Sequence, residues 1–239
     1  MLEAVFISDL HLHPLDEAIT ERFNQFIDWA LINTRSVYIL GDFFHAWAGD
    51  DSVTPWSQAI AVQLAKLSNN GINLYFMHGN RDFLLGSDFA QLAGMTILQE
   101  PAIIKLGTEQ VLLVHGDRYC INDKAHQRFR RLTRNRWFVE HFLRLPLFVR
   151  NRLVAGVRQI SRTKHYKNNA VFDVVPEAMR SHMTSLKLHN LIHGHTHKPG
   201  VKDYTWDSLQ YKQYVLSDWD DMPRVLCYDN TKGFYYDQI

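Results

Sequence analysis

The stretch Ala4-Val-Phe-Ile-Ser-Asp-Leu-His11 runs from four apolar residues directly into Asp-x-His. A short run rich in Val, Ile, Leu, Phe and Tyr reads as a buried strand, so Asp9 and His11 fall just past a strand's carboxyl end. The same arrangement recurs further along the chain. Ser36–Leu40 runs into Gly41-Asp42, Asn73–Met77 into His78-Gly-Asn80-Arg81-Asp82, Gln110–Val114 into His115-Gly-Asp117, and His189–Ile192 into His193-Gly-His195-Thr-His197. Between the first three runs lie helix-like stretches. One is Leu15–Ile32, with apolar spacing through Ile19, Phe23, Phe26, Ile27 and Ala30, and the other is Pro55–Leu67. This alternation predicts an α/β body with at least partly parallel pairing. In such sheets, sites form beyond the carboxyl ends of the strands, where several loops converge.

The composition excludes several classes. With 239 residues, 46% apolar, 21% charged, 12 Gly and 7 Pro, the chain reads as globular and not as disordered or low-complexity. No uncharged apolar run approaches the roughly 18 residues that suggest a membrane span. The N-terminal stretch has no basic flank before an apolar core, so no secretory signal is expected. Two cysteines, Cys120 and Cys227, cannot make a disulfide framework or a four-cysteine zinc site, which fits a reducing cytosol. No dinucleotide-binding or Walker-type glycine loop occurs.

The net charge of +1 hides an asymmetry: residues 118–168 carry 14 Lys or Arg against two acids, leaving the rest strongly acidic. A basic segment on an acidic body points to a polyanionic or membrane-surface partner. Asp123–Arg136 reads as a basic helix. Trp137–Arg158 interleaves apolar residues with Arg144, Arg150, Arg152 and Arg158, and Pro146 should break or start a helix. The expectation is an inserted helical cap over residues 120–168 of a single domain spanning 1–239, apolar on one face and cationic on the other. The aromatic-rich stretch 201–239 reads as antiparallel strands closing the sheet.

Any one of these motifs is more often a loop than a site, but the ordered set is specific. Hard oxygen and imidazole donors suit divalent ions such as Mn²⁺. A bridging carboxylate can hold two ions about 3.5–4 Å apart. In Asp-x-His and His-x-His, alternate residues of an extended segment share a face.

The ordered motifs Asp9-x-His11, Gly41-Asp42, Gly79-Asn80-Arg81-Asp82, His115 and Gly194-His195-x-His197 resemble the signature of the calcineurin-like metallophosphoesterases. That resemblance implies an α/β two-sheet sandwich flanked by helices. It implies one metal on Asp9, His11, Asp42 and His197, and a second on Asp42, Asn80, His115 and His195. Many members have His after the Asn, placed to protonate a leaving group, whereas here the residue is Arg81. Arginine stays charged and cannot act as a general acid, but it can clamp phosphoryl oxygens. This favours phosphoanhydride substrates, whose leaving group is already a good anion.

Longer stretches narrow the family. Tyr38–Phe44, Trp47-x-Gly-Asp-Asp51, His78–Gly86, His115-Gly-Asp-x-x-Cys120 and Leu145–Arg150 resemble the UDP-2,3-diacylglucosamine diphosphatases of lipid A synthesis. By that resemblance the chain hydrolyses UDP-2,3-diacylglucosamine to UMP and 2,3-diacylglucosamine 1-phosphate, using two Mn²⁺ ions and water attack on the α-phosphorus. Asn80, Arg81 and His195 would act on the phosphates, and Asp123, Ser161, Lys164, Lys167 and His195 would contact substrate. The cap would hold the acyl chains, its arginines near phosphates or the anionic inner-membrane surface, with the protein peripheral on the cytoplasmic face. Where the family usually has Asp-Phe before Trp47, this chain has His45-Ala46. Neither nucleic acid nor an obligate protein partner is expected. Two alternatives are a dinuclear nuclease gripping nucleic acid with the basic cap and an inactive interaction scaffold. Interleaved apolar residues argue against the first, and filled ligand positions against the second.

Overall fold

The computed structural model describes residues 1–165, 173–220 and 222–239, the side chains of residues 160–165 excepted. In the first sheet β1 (Ala4–Ile7), β2 (Ser36–Ile39), β3 (Asn73–Met77) and β4 (Thr96–Leu98) run parallel. In the second, β5 (Ala102–Leu106) pairs antiparallel with β6 (Glu109–Leu113), and β6 pairs parallel with β7 (Asn190–His193). The hairpin of β8 (Gly200–Trp206) and β9 (Leu209–Val215) completes that sheet, with β9 parallel to β7. The last hairpin, β10 (Arg224–Asp229) and β11 (Gly233–Gln238), returns to the first sheet, antiparallel to β1. The expected antiparallel closing strands therefore divide, one hairpin going to each sheet.

Strand alternation sorts the side chains into layers. Ala4, Phe6, Tyr38, Leu40 and Met77 face the second sheet and meet Val111, Leu113, Ile192 and Tyr214. Val5, Ile7, Val37, Ile39 and Phe76 face outward into α1 (Glu17–Asn33), α2 (Pro55–Asn69) and α3 (Ser87–Ala93). The buried stripe of α1 is the one its spacing predicts: Ile19, Phe23, Phe26, Ile27 and Ala30. Its start is set by Asp16, whose carboxylate accepts from the Ile19 N–H at 3.1 Å. Thr54 and Ser57 cap α2 reciprocally, with Pro55 at its first position. On the outer face of the second sheet, Leu112, Val114, Leu191 and Tyr211 pack on Met179 and Met183 of α7 (Pro176–Leu186). Fully burying a side chain such as Phe23 or Phe26 contributes about 1.5–3 kcal/mol.

The insert carries α4 (Lys124–Thr133), α5 (Arg136–Leu143) and α6 (Leu147–His165). Pro146 separates α5 from α6, and its carbonyl accepts from the Val149 and Arg150 N–H groups at the start of α6. Val139, Phe142 and Val154 pack on the first sheet's helical side, while Trp137 and Phe148 are 67% and 75% exposed. The expectation that the insert's arginines line an outer cationic face fails at Arg150, which is 2% exposed. Its guanidinium pairs with Asp51 and donates to the Ala48 and Leu145 carbonyls, fastening α6 to the loop after β2. Among the described residues no helix is long and apolar enough to cross a membrane.

Candidate metal centre

The loops after β1, β2, β3, β6 and β7 converge and are knitted by backbone bonds. Asp9 N donates to Gly41 O at 3.1 Å, His11 N to Asp42 O at 3.0 Å, and Gly194 N to His115 O at 2.8 Å. Across the sandwich, His195 N donates to Asp9 Oδ2 at 2.7 Å. Five of the seven predicted ligands sit in the left-handed backbone region: Asp9 (φ 56°), His11 (53°), Asp42 (53°), His195 (72°) and His197 (54°). For residues other than glycine that region is sparsely populated, and such strain clusters at functional sites. The motif glycines allow close approach: a Cβ on Gly79 would collide with Asp42, and one on Gly194 with Ser8 and Asp9.

The seven predicted ligands come together in two groups. Asp9, His11 and His197 form one, and Asp42, His115 and His195 the other, the donor atoms in each lying within 4.8 Å of one another. Asp42 lies between them, with Oδ2 3.3 Å from His11 Nε2 and Oδ1 3.7 Å from His115 Nε2. Asn80 Oδ1 joins the second group, 3.1 Å from His115 Nε2. This donor set fits hard divalent cations. So does Asp9 Oδ1, which is buried and has no hydrogen-bond donor, with His197 Nε2 3.6 Å away.

Burial pushes His195 down to about 3 and lowers His11, leaving neutral imidazoles with lone pairs to offer. His115 is raised because Asp42, Asp117 and Asp9 outweigh its burial. His197 rises to about 10, its burial outweighed by the carboxylates of Asp218 and Asp9 beside it.

A ring of supporting side chains holds the loops. The Asp82 carboxylate accepts from Gly79 N at 2.8 Å and Phe43 N at 2.7 Å, and burial beside Asp42 pushes it up to about 6. Asp50 accepts from Gly86, Asp88 and Phe89 N–H groups and so starts α3. His78 and His193 bond to the Leu85 and Gly194 carbonyls respectively, as befits structural histidines. Cys120 is buried and its thiol is pushed up to about 12, in keeping with a packing residue.

Helix α4 reaches the centre with a stripe of one residue per turn, His126, Arg130 and, at its C-cap, Arg134. The His126 ring lies 5.4 Å from that of His195. Arg130 donates to Asp117 at 3.0 Å and to Glu100 at 2.6 Å, and the other Glu100 oxygen accepts from His115 N at 3.1 Å. Arg134 donates to the His78 and Gly79 carbonyls at 2.9 and 3.2 Å, in the loop that presents Asn80 and Arg81.

The other predicted contacts are distributed unevenly. Arg81 borders the centre, its Nε 3.2 Å from Asp42 Oδ2. Asp123 is the N-cap of α4, accepting from His126 N at 2.9 Å. Ser161 and Lys164 lie in α6 where side chains are not described, and Lys167 lies outside the described residues. The sequence reading missed Asp218, whose Oδ2 is 3.4 Å from His197 Nδ1 and orients that ring. Its signal is of the familiar kind: β9 runs parallel to β7 and is followed by Leu216-Ser217-Asp218, so it delivers an acid to the same edge.

Two donor groups with a carboxylate between them, at the converging strand ends of a two-sheet α/β fold, define a metallophosphoesterase. Residues 3–199 match the calcineurin-like phosphoesterase family. The chain is 42% identical over 220 residues, 90% of each chain, to the UDP-2,3-diacylglucosamine hydrolase of Pseudomonas putida strain F1. It is 41% identical over 234 residues, 96% of each chain, to that of P. putida strain W619. To that of Vibrio vulnificus strain CMCP6 it is 38% identical over 226 residues, covering 94% of this chain and 93% of the relative. The chain therefore belongs to the calcineurin-like phosphoesterases and, within them, to the UDP-2,3-diacylglucosamine hydrolase family.

Proposed function

We propose that this protein hydrolyses the pyrophosphate bond of UDP-2,3-diacylglucosamine, releasing UMP and 2,3-diacylglucosamine 1-phosphate in lipid A synthesis. The observation that carries the reading is the position of Asp42 between two donor groups, at a centre where a buried Asp9 oxygen lacks a donor. Two divalent cations, Mn²⁺ by family resemblance, would be held by Asp9, His11, Asp42 and His197 and by Asp42, Asn80, His115 and His195, supplying Lewis acidity and a nucleophile at neutral pH.

The chain's own residues account for the rest. Arg81 keeps its charge at every working pH and borders the centre, so it clamps phosphoryl oxygens as negative charge accumulates on them. It gives up no proton, and a sugar 1-phosphate leaving group needs none. His195 and Asn80 face the same phosphate, and His195 is neutral because of its burial. Asp123, Ser161, Lys164 and Lys167 are assigned to substrate by resemblance, and Asp123 also starts α4.

The exposed Trp137, Phe148, Leu153 and Val157, interleaved with Arg136, Arg144 and Arg152, support seating of the insert on an anionic membrane surface. Hydrolysis of UDP-2,3-diacylglucosamine by purified protein, with Mn²⁺ or with EDTA, tests the function. UMP and the acylated sugar phosphate should appear with Mn²⁺ and vanish with EDTA. Turnover of a generic phosphodiester with none of the lipid substrate would overturn the assignment.

A further inference from the structure

The Arg81 guanidinium has an ion-pair contact at Nε, which makes no hydrogen bond, and a hydrogen bond at Nη1. Nε lies 3.2 Å from Asp42 Oδ2, and Nη1 lies 3.3 Å from Nδ1 of His45, on the loop after β2. The His45 ring meets that of His13 edge-on, with centroids 5.4 Å apart at 84°. Its backbone N–H donates to the Leu12 carbonyl at 3.0 Å. His45 is thus braced by the loops after both β1 and β2, at a distance from Arg81 that permits a hydrogen bond.

We propose that His45 is a positioning residue for Arg81, aiming the guanidinium at the substrate phosphates without neutralising it. A guanidinium only donates hydrogen bonds and does not lose its proton, so the contact needs the lone pair of Nδ1. His45 is then the neutral tautomer with its proton on Nε2. A carboxylate in this place would also hold Arg81, but its negative charge would offset the positive charge offered to the phosphates. A neutral imidazole accepts the same N–H and leaves that charge intact. The backbone of Arg81 is held separately: its N–H donates to Asp42 Oδ1 at 2.9 Å, and its carbonyl accepts from Trp47 N at 3.2 Å. Losing the imidazole therefore releases the side chain and not the loop.

The inference rests on Arg81 acting as the phosphate clamp, and the test separates the two. His45→Ala, His45→Asn, Arg81→Ala and the His45→Ala/Arg81→Ala double variant are assayed for hydrolysis of UDP-2,3-diacylglucosamine, Mn²⁺ affinity and thermal midpoint. His45→Ala should lower kcat about 10–150-fold, the effect of one hydrogen bond to a charged partner, with Mn²⁺ affinity and midpoint unmoved. His45→Asn should recover most of the loss, because its amide oxygen can stand where Nδ1 does. In the Arg81→Ala background, His45→Ala should cost less than about twofold, the non-additivity expected of a contacting pair. The ¹⁵N spectrum of the metal-free protein should show His45 with its proton on Nε2, and a tautomer mixture in Arg81→Ala. Equal losses from His45→Ala with and without Arg81, or no loss with Arg81 present, would overturn the role of His45 while leaving the clamp. Full turnover by Arg81→Ala would overturn the clamp and the inference with it.

Discussion

At the strand ends, Asp9, Asp42, Asp82 and His115 are all buried, and nearly every polar group there is bonded to another loop. On the insert the pattern reverses, with Trp137 and Phe148 standing mostly in water while Arg150 is buried. The centre is built by polar groups spent on one another. The insert is attached through three arginines, Arg130, Arg134 and Arg150, that reach back to acids and carbonyls of the body. Val139, Phe142 and Val154 add apolar packing, while Trp137 and Phe148 do little for its attachment. The comparison teaches that a basic, apolar segment need not be a loosely tethered lid: its charges can be anchors while some of its large apolar side chains stay exposed.

The sharpest way to break this comparison lies at Asp42. Asp42→Ala should abolish hydrolysis by more than about 10³-fold and weaken Mn²⁺ binding, since both donor groups lose their common member. Turnover near wild type would show that the groups do not work together. Next comes Asp218, which supports the centre without belonging to it. Asp218→Ala should lower Mn²⁺ affinity about 10–100-fold, measured by calorimetry.

The same measurement carries a pH signature. In the metal-free protein His197 is raised to about 10 by Asp218 and Asp9 against its burial, so at pH 7 it holds a proton that a cation must displace. Affinity should therefore climb as pH rises from 7 to 9, with proton release visible across buffers of different ionisation enthalpy. Asp218→Ala should flatten that climb. A slope unchanged by the substitution would remove Asp218 from the account.

Effects at the insert should be smaller. Arg150→Met severs α6 from Asp51 and two carbonyls. Asp51 is itself well exposed and can be solvated, so the expected loss is about 1–3 kcal/mol by urea unfolding, with Mn²⁺ affinity retained. Smallest in the folded protein is Phe148→Ser, which should change stability by less than about 0.5 kcal/mol yet weaken sedimentation with anionic vesicles. Unchanged vesicle binding would refute the surface role.

The centre was legible because every ligand follows a short apolar run, a linear pattern that survives without tertiary information. Asp218 follows the same pattern, but the aromatic residues around it read as closing strands, and only the parallel pairing of β9 with β7 shows where it arrives. The edge strands β4 and β5 escaped notice because they are short and only partly buried. The partners of Arg130, Arg134 and Arg150 were beyond reach for a different reason. A long cationic side chain reads the same whether it meets solvent or a buried carboxylate, and the choice is made by residues 30–100 positions away.

Five left-handed ligand residues carry a lesson for anyone who would graft this centre onto another scaffold. Copying seven side chains onto regular strands or helices would fail, because those backbones cannot present Asp9, His11, Asp42, His195 and His197 as they stand here. The unit that must travel is the set of tightly bonded loops, glycines included. Asparagine, which tolerates the left-handed region better than most residues, is the replacement at Asp9 or Asp42 that best silences the centre while preserving its shape.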